Sequence, residues 1–261
     1  MTTALARAGG ARLAGVPVLV IGAIAFAWML ALGAELTGTG AHLHHDTLIE
    51  GGPDVVVGLG LSTLAWVVMI AAMMIPSSLP LVRLFARASG RQPHPGYAMV
   101  AFLGGYALVW TAFGIIAFAG DLALHRVVEA NAWMHRNEWA IGGSVLALAG
   151  AFQFTPLKDA CLDRCRHPGA FMLRYYERGV PGALRVGARH GAFCVGCCWA
   201  LMLVMFAVGV ASLVWMALLT AVMVHEKSRP MGRQLVPLTG VALLAIASTV
   251  LLYSAYAAGV I

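Results

Sequence analysis

Apolar residues run along this chain in seven long stretches separated by shorter polar ones: 16–33, 55–81, 98–119, 139–154, 192–208, 212–224 and 236–257. A helix rises about 1.5 Å per residue, so crossing the roughly 30 Å hydrocarbon layer of a bilayer takes about 20 apolar residues. The pattern predicts an all-α, polytopic membrane helix bundle of about seven transmembrane helices. The second stretch is long and the fourth and sixth are short, so their ends are set only to within a few residues. Residues 209–212 leave room for only a tight turn between the fifth and sixth, which makes that pair an antiparallel hairpin. No segment between the stretches has the length or polarity of a separate soluble unit, and residues 1–261 read as one integral membrane domain.

Composition agrees with the pattern. Hydrophobic residues make up 61% of the chain and charged residues 11%, where a soluble domain carries about 25% charged. A net charge of +6 would suit a nucleic-acid partner, but basic loops have a topological cause in membrane proteins. With seven crossings, fifteen of the seventeen Lys and Arg residues fall on one side. They are Arg7 and Arg12, then Arg83, Arg87 and Arg91, then seven residues from Lys158 to Arg189, then Lys227, Arg229 and Arg233. Only Arg126 and Arg136 lie opposite, which places the N-terminus in the cytoplasm and the C-terminus outside. The start of the chain has the basic head and apolar core of a signal peptide. Its apolar run is long and ends without a small-x-small cleavage pattern, so an uncleaved first helix is expected.

Cysteine usage turns a generic bundle into one with candidate chemistry. All five cysteines lie between Cys161 and Cys198. In RHGAFCVGCCWALMLVM, helical spacing puts Cys194, Cys198 and Met205 on a narrow stripe flanked by Cys197 and Met202. Thiolates and thioethers select soft ions, above all Cu(I), and thiolates also take Zn(II). Free Cys and Met are also ordinary packing residues, so the stripe alone is not a site. Facing the cytoplasm keeps these thiols reduced. Met73, ten residues before Arg83, and Cys198, nine after Arg189, sit at similar depth, roughly 13–15 Å inside the basic boundary. Pro76 is expected to kink the second helix and free carbonyls near Met73 and Met74.

Other features add less. Cys161 and Cys165 are four apart and share a face if helical. Gly143, Ala147 and Ala151 form a small-residue ladder on the fourth span. Residues 171–190 read as an interfacial helix, a turn at VPG and a second helix, with Tyr175 and Tyr176 at headgroup level. His190 and His225 lie near the cytoplasmic boundary as interfacial residues with imidazole to spare. Lys227 suits a helix C-terminus. On the outer side His42, His44, His45 and Asp46 form a compositional cluster capable of weak metal binding. The absence of carboxylates and paired histidines from the middle of the spans argues against a proton pump or a haem carrier. No phosphate-binding glycine loop is visible.

The segments VVMIAAMMIPSSLP, FLGGYALVW, FQFTPLKDACLDRCRHPGAF, CVGCCWALMLVMF and WMALLTAVMVHEK occur in this order from about Val67 to Lys227. Together they resemble a bacterial family of uncharacterised, predicted metal-binding integral membrane proteins, some of them labelled copper chaperones. The resemblance implies a multi-pass fold in the bacterial inner membrane and metal ligands at Met73, Met74, Cys161, Cys165, Cys194, Cys197 and Cys198. The expected function is binding of Cu(I), with Zn(II) the other candidate ion, and its transfer to or from a protein partner or metallochaperone. The alternatives are a membrane scaffold with structural cysteines and a membrane thiol redox protein.

Overall fold

The computed structural model describes residues 2–38, 55–137, 139–208 and 212–258. The described residues form helices and short connections, with no strand among them. In chain order the helices are α1 (Thr2–Leu36), α2 (Val55–Met69), a π-helical turn (Ile70–Met74), α3 (Ile75–Ser89) and α4 (Pro95–Ala130). Then come α5 (Ala132–Arg136), α6 (Trp139–Phe152), α7 (Pro156–Arg166), α8 (Pro168–Tyr175), α9 (Gly179–Val208), α10 (Leu213–Ser228) and α11 (Gly232–Ala257). The outer cluster of His42, His44, His45 and Asp46 lies outside the described residues.

Five described segments are long and apolar enough to cross a membrane, namely 19–36, 57–89, 95–130, 179–205 and 232–257. α6 and α7 pass the same test as a pair bent by 65°. Where the sequence pattern predicts seven spans, length therefore supports five or six. α6 has 14 residues and α10 has 16, and both are too short on their own. The bend between α6 and α7 has a local cause. Thr155 ends one helix by donating to the Phe152 carbonyl and starts the next by accepting from the Lys158 amide, with Pro156 in the first turn, where its missing N–H costs nothing.

The helix before Met74 continues as one rod only through a change of winding. The Ile75 amide reaches back to the Ile70 carbonyl, five residues away, which adds one residue to the turn. Pro76 has no N–H for the Ala72 carbonyl four residues earlier, and the indole of Trp28 on α1 donates to that carbonyl instead at 3.0 Å. The expected release of a carbonyl by Pro76 is present and is satisfied from another helix. α1 also reaches α10, whose first amide, Leu213, donates to the Glu35 carboxylate at 3.1 Å.

α9 is the central helix, and its most extensive neighbour is α4. A Cβ at Gly187 would overlap the Phe102 carbonyl, and one at Gly105 would overlap the Leu184 carbonyl. Glycine at these crossings lets the two backbones touch. α9 is also longer than the sequence pattern suggests. Gly179 at φ 80° turns the chain into the helix, and VPG forms its first turn instead of a break. The interfacial helix–turn–helix expected over 171–190 is thus α8, a short link, and the start of α9. Tyr176 bridges outward elements by donating to the Ala88 carbonyl and accepting from Gln92. Arg185 on α9 donates to Glu177 in that link, and this holds the Glu177 carboxyl below the usual range.

The small-residue ladder of α6 meets α11, with one correction. Gly143 faces Leu251 and Gly150 faces Leu244 and Gly240, while Ala151 is exposed. Steps of four residues drift round a 3.6-residue helix, so the ladder returns to its face at 150 and not at 151.

Candidate metal centre

Two buried clusters fill the interior. One is aromatic, with Phe85 stacked on Phe102 at 4.4 Å, and the other contains the sulfur residues. In the second, Cys194, Cys197 and Cys198 of α9 are at most 1% exposed, and Met73, Met74, Met202 and Met205 are fully buried. All five cysteines are free thiols. The Cys197 and Cys198 thiols donate to the Cys194 carbonyl at 3.1 and 2.9 Å, the back-bonding available to a short side chain within a helix.

Long-range packing brings further sulfur to that face. The π-helical turn carries Met74 to Cys198, and the two sulfur atoms lie 3.9 Å apart. Met73 is buried in the same cluster. α7 is helical, so Cys161 and Cys165 share a face, and that face packs on α9. Cys165 lies close enough to interact with the side chains of Cys194 and Cys197. Cys161 fits because residue 196 is glycine, where a Cβ would stand 2.6 Å from the Cys161 sulfur. Cys161 and Cys165 are half-buried, in contrast to the three cysteines of α9.

Polar residues surround the sulfurs, among them Lys227 and His190, which the sequence pattern placed at a helix end and at the interface. Lys227 turns inward from α10 and its ammonium donates to Ser77 Oγ at 3.0 Å and Cys194 Sγ at 3.1 Å, with Cys198 Sγ at 3.9 Å. The Tyr106 hydroxyl lies 3.1 Å from Cys194 Sγ. Ser78 donates to Tyr106 at 3.2 Å, and His190 Nε2 lies 3.1 Å from Ser78 Oγ. His190 is buried and stacked on Tyr106, which corrects the interfacial reading; it reaches the sulfurs only through Ser78 and Tyr106. His225 is exposed, and Lys227 is a buried residue, not a terminal charge in contact with solvent.

The position of α7 is fixed by charge. Lys158 Nζ pairs with Glu226 Oε2 at 2.8 Å, and both are buried. Arg166 donates to the Glu226, Arg229 and Pro230 carbonyls at the end of α10. These contacts satisfy carbonyls that a helix end leaves open.

Among the described residues no three His, Cys, Asp or Glu side chains converge tightly enough to hold a metal as they stand. The donor set is nevertheless soft, thiols and thioether together, and it includes a contact between sulfurs on two different helices. Such donors suit an ion that accepts two or three sulfur ligands, and they suit hard oxygen-seeking ions poorly.

No curated protein and no solved structure matches the chain. A family model does match, over residues 63–250, which takes in all five cysteines, Met73, Met74 and Lys227 and leaves out the histidine cluster at 42–46. Covering well over half of the sequence, that match makes the chain a member of the PpoB2 family, described as copper chaperones.

Proposed function

We propose that this family member is an integral membrane protein that binds Cu(I) through sulfur ligands on the cytoplasmic side of the bacterial inner membrane and passes the ion to or from a protein partner. One observation carries the reading: Cys198 and Met74, 124 residues apart in sequence, meet sulfur to sulfur at 3.9 Å in a fully buried site. Cys194 lies on the same stripe of α9, and Cys165 approaches from α7. The family description supports copper as the cargo.

The gradient of burial orders the sulfurs along a path. Cys161 and Cys165 are half-buried and form the outer station, while Cys194, Cys197, Cys198 and Met74 form the inner one. Cu(I) moves between two- and three-coordinate sulfur sets by gaining one ligand before losing another, so it is never released as a free ion. Zn(II) prefers four ligands in a tetrahedron, often including imidazole, and is expected to bind less tightly here.

The membrane assignment rests on the long apolar helices and on side chains such as Val100 and Ile116, about 70% exposed on the outside of the bundle. A soluble protein would bury such residues, and in a bilayer they face lipid. Counting α6 and α10 as short crossings restores seven spans and the one-sided distribution of Lys and Arg.

Anaerobic Cu(I) titration of the purified protein against a chromophoric competitor tests the reading. About one tightly held Cu(I) per chain is expected, and its loss in a Cys194→Ser/Cys198→Ser variant. Binding that is not stoichiometric, or that survives in the variant, would overturn the proposal and leave the cysteines as packing residues of a scaffold.

A further inference from the structure

The chain contains two lysines and fifteen arginines, and the two lysines, Lys158 and Lys227, are both buried. Lysine has thus been placed only where a compact, single-point charge enters the interior, and arginine serves every other basic position. Lys158 has a carboxylate partner in Glu226. Lys227 has none among the described residues: its ammonium faces Ser77 Oγ, Cys194 Sγ and Cys198 Sγ.

We propose that Lys227 is a built-in placeholder for the cargo, its ammonium occupying the position between Cys194 and Cys198 that Cu(I) takes on loading. This rests on the reading of the sulfur cluster as a Cu(I) site and goes beyond it by assigning a residue that competes with the metal. The geometry has two parts. The ammonium bridges two sulfurs of α9, and the second of them, Cys198, is the one in contact with Met74. A cation that displaced it would meet Cys194, Cys198 and Met74 together, a three-sulfur set assembled from two segments. Charge is matched as well. Cu(I) brings one positive charge to the sulfurs, and the ammonium takes one away as it turns toward exposed Ser228 at the end of α10; with Cys194 as the thiolate and Cys198 and Met74 as neutral donors, no proton is released and the sulfur site keeps its net charge through loading and unloading. No electron moves: copper stays Cu(I), and Cu–S coordination replaces the N–H···S contacts. Ser77 Oγ on α3 is the ammonium's third partner, at 3.0 Å. That contact and the two sulfurs draw the side chain back when the ion departs.

A residue that competes with the metal and one that assists it predict opposite signs. Lys227→Gln removes the charge and keeps a polar group for Ser77. Cu(I) affinity, read by chelator competition on the full-length protein in detergent, is expected to rise about tenfold or more, with faster uptake and slower transfer to the competitor. Unchanged or weaker binding in the variant overturns the placeholder while leaving the Cu(I) site intact. Failure of the wild type to bind Cu(I) removes the site itself, so the two ideas fail separately. Should the variant not fold, wild-type protein labelled with 13C-lysine decides. The chain contributes two lysine 13Cε signals. One equivalent of Cu(I) is expected to move that of Lys227 and leave that of Lys158 in place, and two unmoved signals would overturn the proposal.

Discussion

Lys158 and Lys227 both bury their ammonium groups near the end of α10, and their surroundings differ in kind. Lys158 arrives from α7 and meets the Glu226 carboxylate at 2.8 Å, a closed pair of unlike charges. Lys227 is the next residue on α10, about 100° further round the helix. Its partners are the Ser77 hydroxyl on α3 and two sulfurs on α9. An ion pair with a carboxylate in a dry interior is hard to open, because either partner alone would be a buried charge without compensation. An ammonium held by sulfur faces groups for which a soft metal ion is the stronger partner. One turn of helix therefore carries both a fixed fastening for α7 and an exchangeable one for the sulfur cluster.

Breaking the fixed fastening is expected to have the largest effect. Glu226→Gln leaves Lys158 buried without its counter-charge and should cost about 3–5 kcal/mol of stability in denaturant unfolding. The double variant Lys158→Met/Glu226→Leu should recover most of that loss. If the single variant loses under about 1 kcal/mol, the pair is not closed and the contrast between the lysines disappears. Gly196→Ala comes next. Its added methyl meets the Cys161 sulfur, and about 1–3 kcal/mol of destabilisation is expected, together with faster alkylation of Cys161 and Cys165 as α7 lifts from α9. An unaltered alkylation rate would mean that α7 is not seated by this contact.

Met74→Leu probes the exchangeable side. The swap nearly conserves volume, so stability should change by less than about 1.5 kcal/mol. Cu(I) affinity should fall about tenfold, the loss of one soft ligand out of three. Equal affinity in the two proteins would remove Met74 from the ligand set. The smallest effect is expected far from both lysines. Glu177, bonded to Arg185 and Arg189, has its carboxyl held low, chiefly by the Arg185 hydrogen bond. A depressed carboxyl adds stability above its ordinary titration range and loses it as the pH falls through the lowered value. Glu177→Gln should therefore lower Tm slightly at pH 7, and the difference from wild type should vanish on acidification below the carboxylate range. A difference that persisted in acid would mean that the carboxylate charge is not its source.

Much of this was legible in the sequence, and what was missed has physical reasons. The sulfur stripe of α9 follows from helical spacing, and matching depth brings Met73 level with Cys198, although the contact is made by its neighbour Met74. Pro76 announces a freed carbonyl, although nothing local says that Trp28 will fill it. The inward placement of Lys227, His190, Ser77 and Ser78 was not legible because each has an ordinary local role. Lys227 sits where a helix end favours a cation, His190 stands one residue past Arg189, and Ser77 and Ser78 read as the polar tail of an apolar run. Only tertiary contact turns them inward. The signal that did exist was compositional: a chain that writes fifteen of its seventeen basic residues as arginine marks its two lysines as exceptions. Gly196 likewise reads as a weak spot in CVGCC until α7 is laid across it.

The π-helical turn at Ile70–Met74 has one further consequence, which concerns phase. One extra residue in a turn advances everything after it by about 100°, so α2 and α3 present faces that no single helical wheel can align. Deleting one residue from 70–74 would cost the chain little length or apolar character, yet it would rotate Ser77 and Ser78 away from Lys227 and His190. The two polar contacts that frame the sulfur cluster thus depend on a count of residues as much as on their identity.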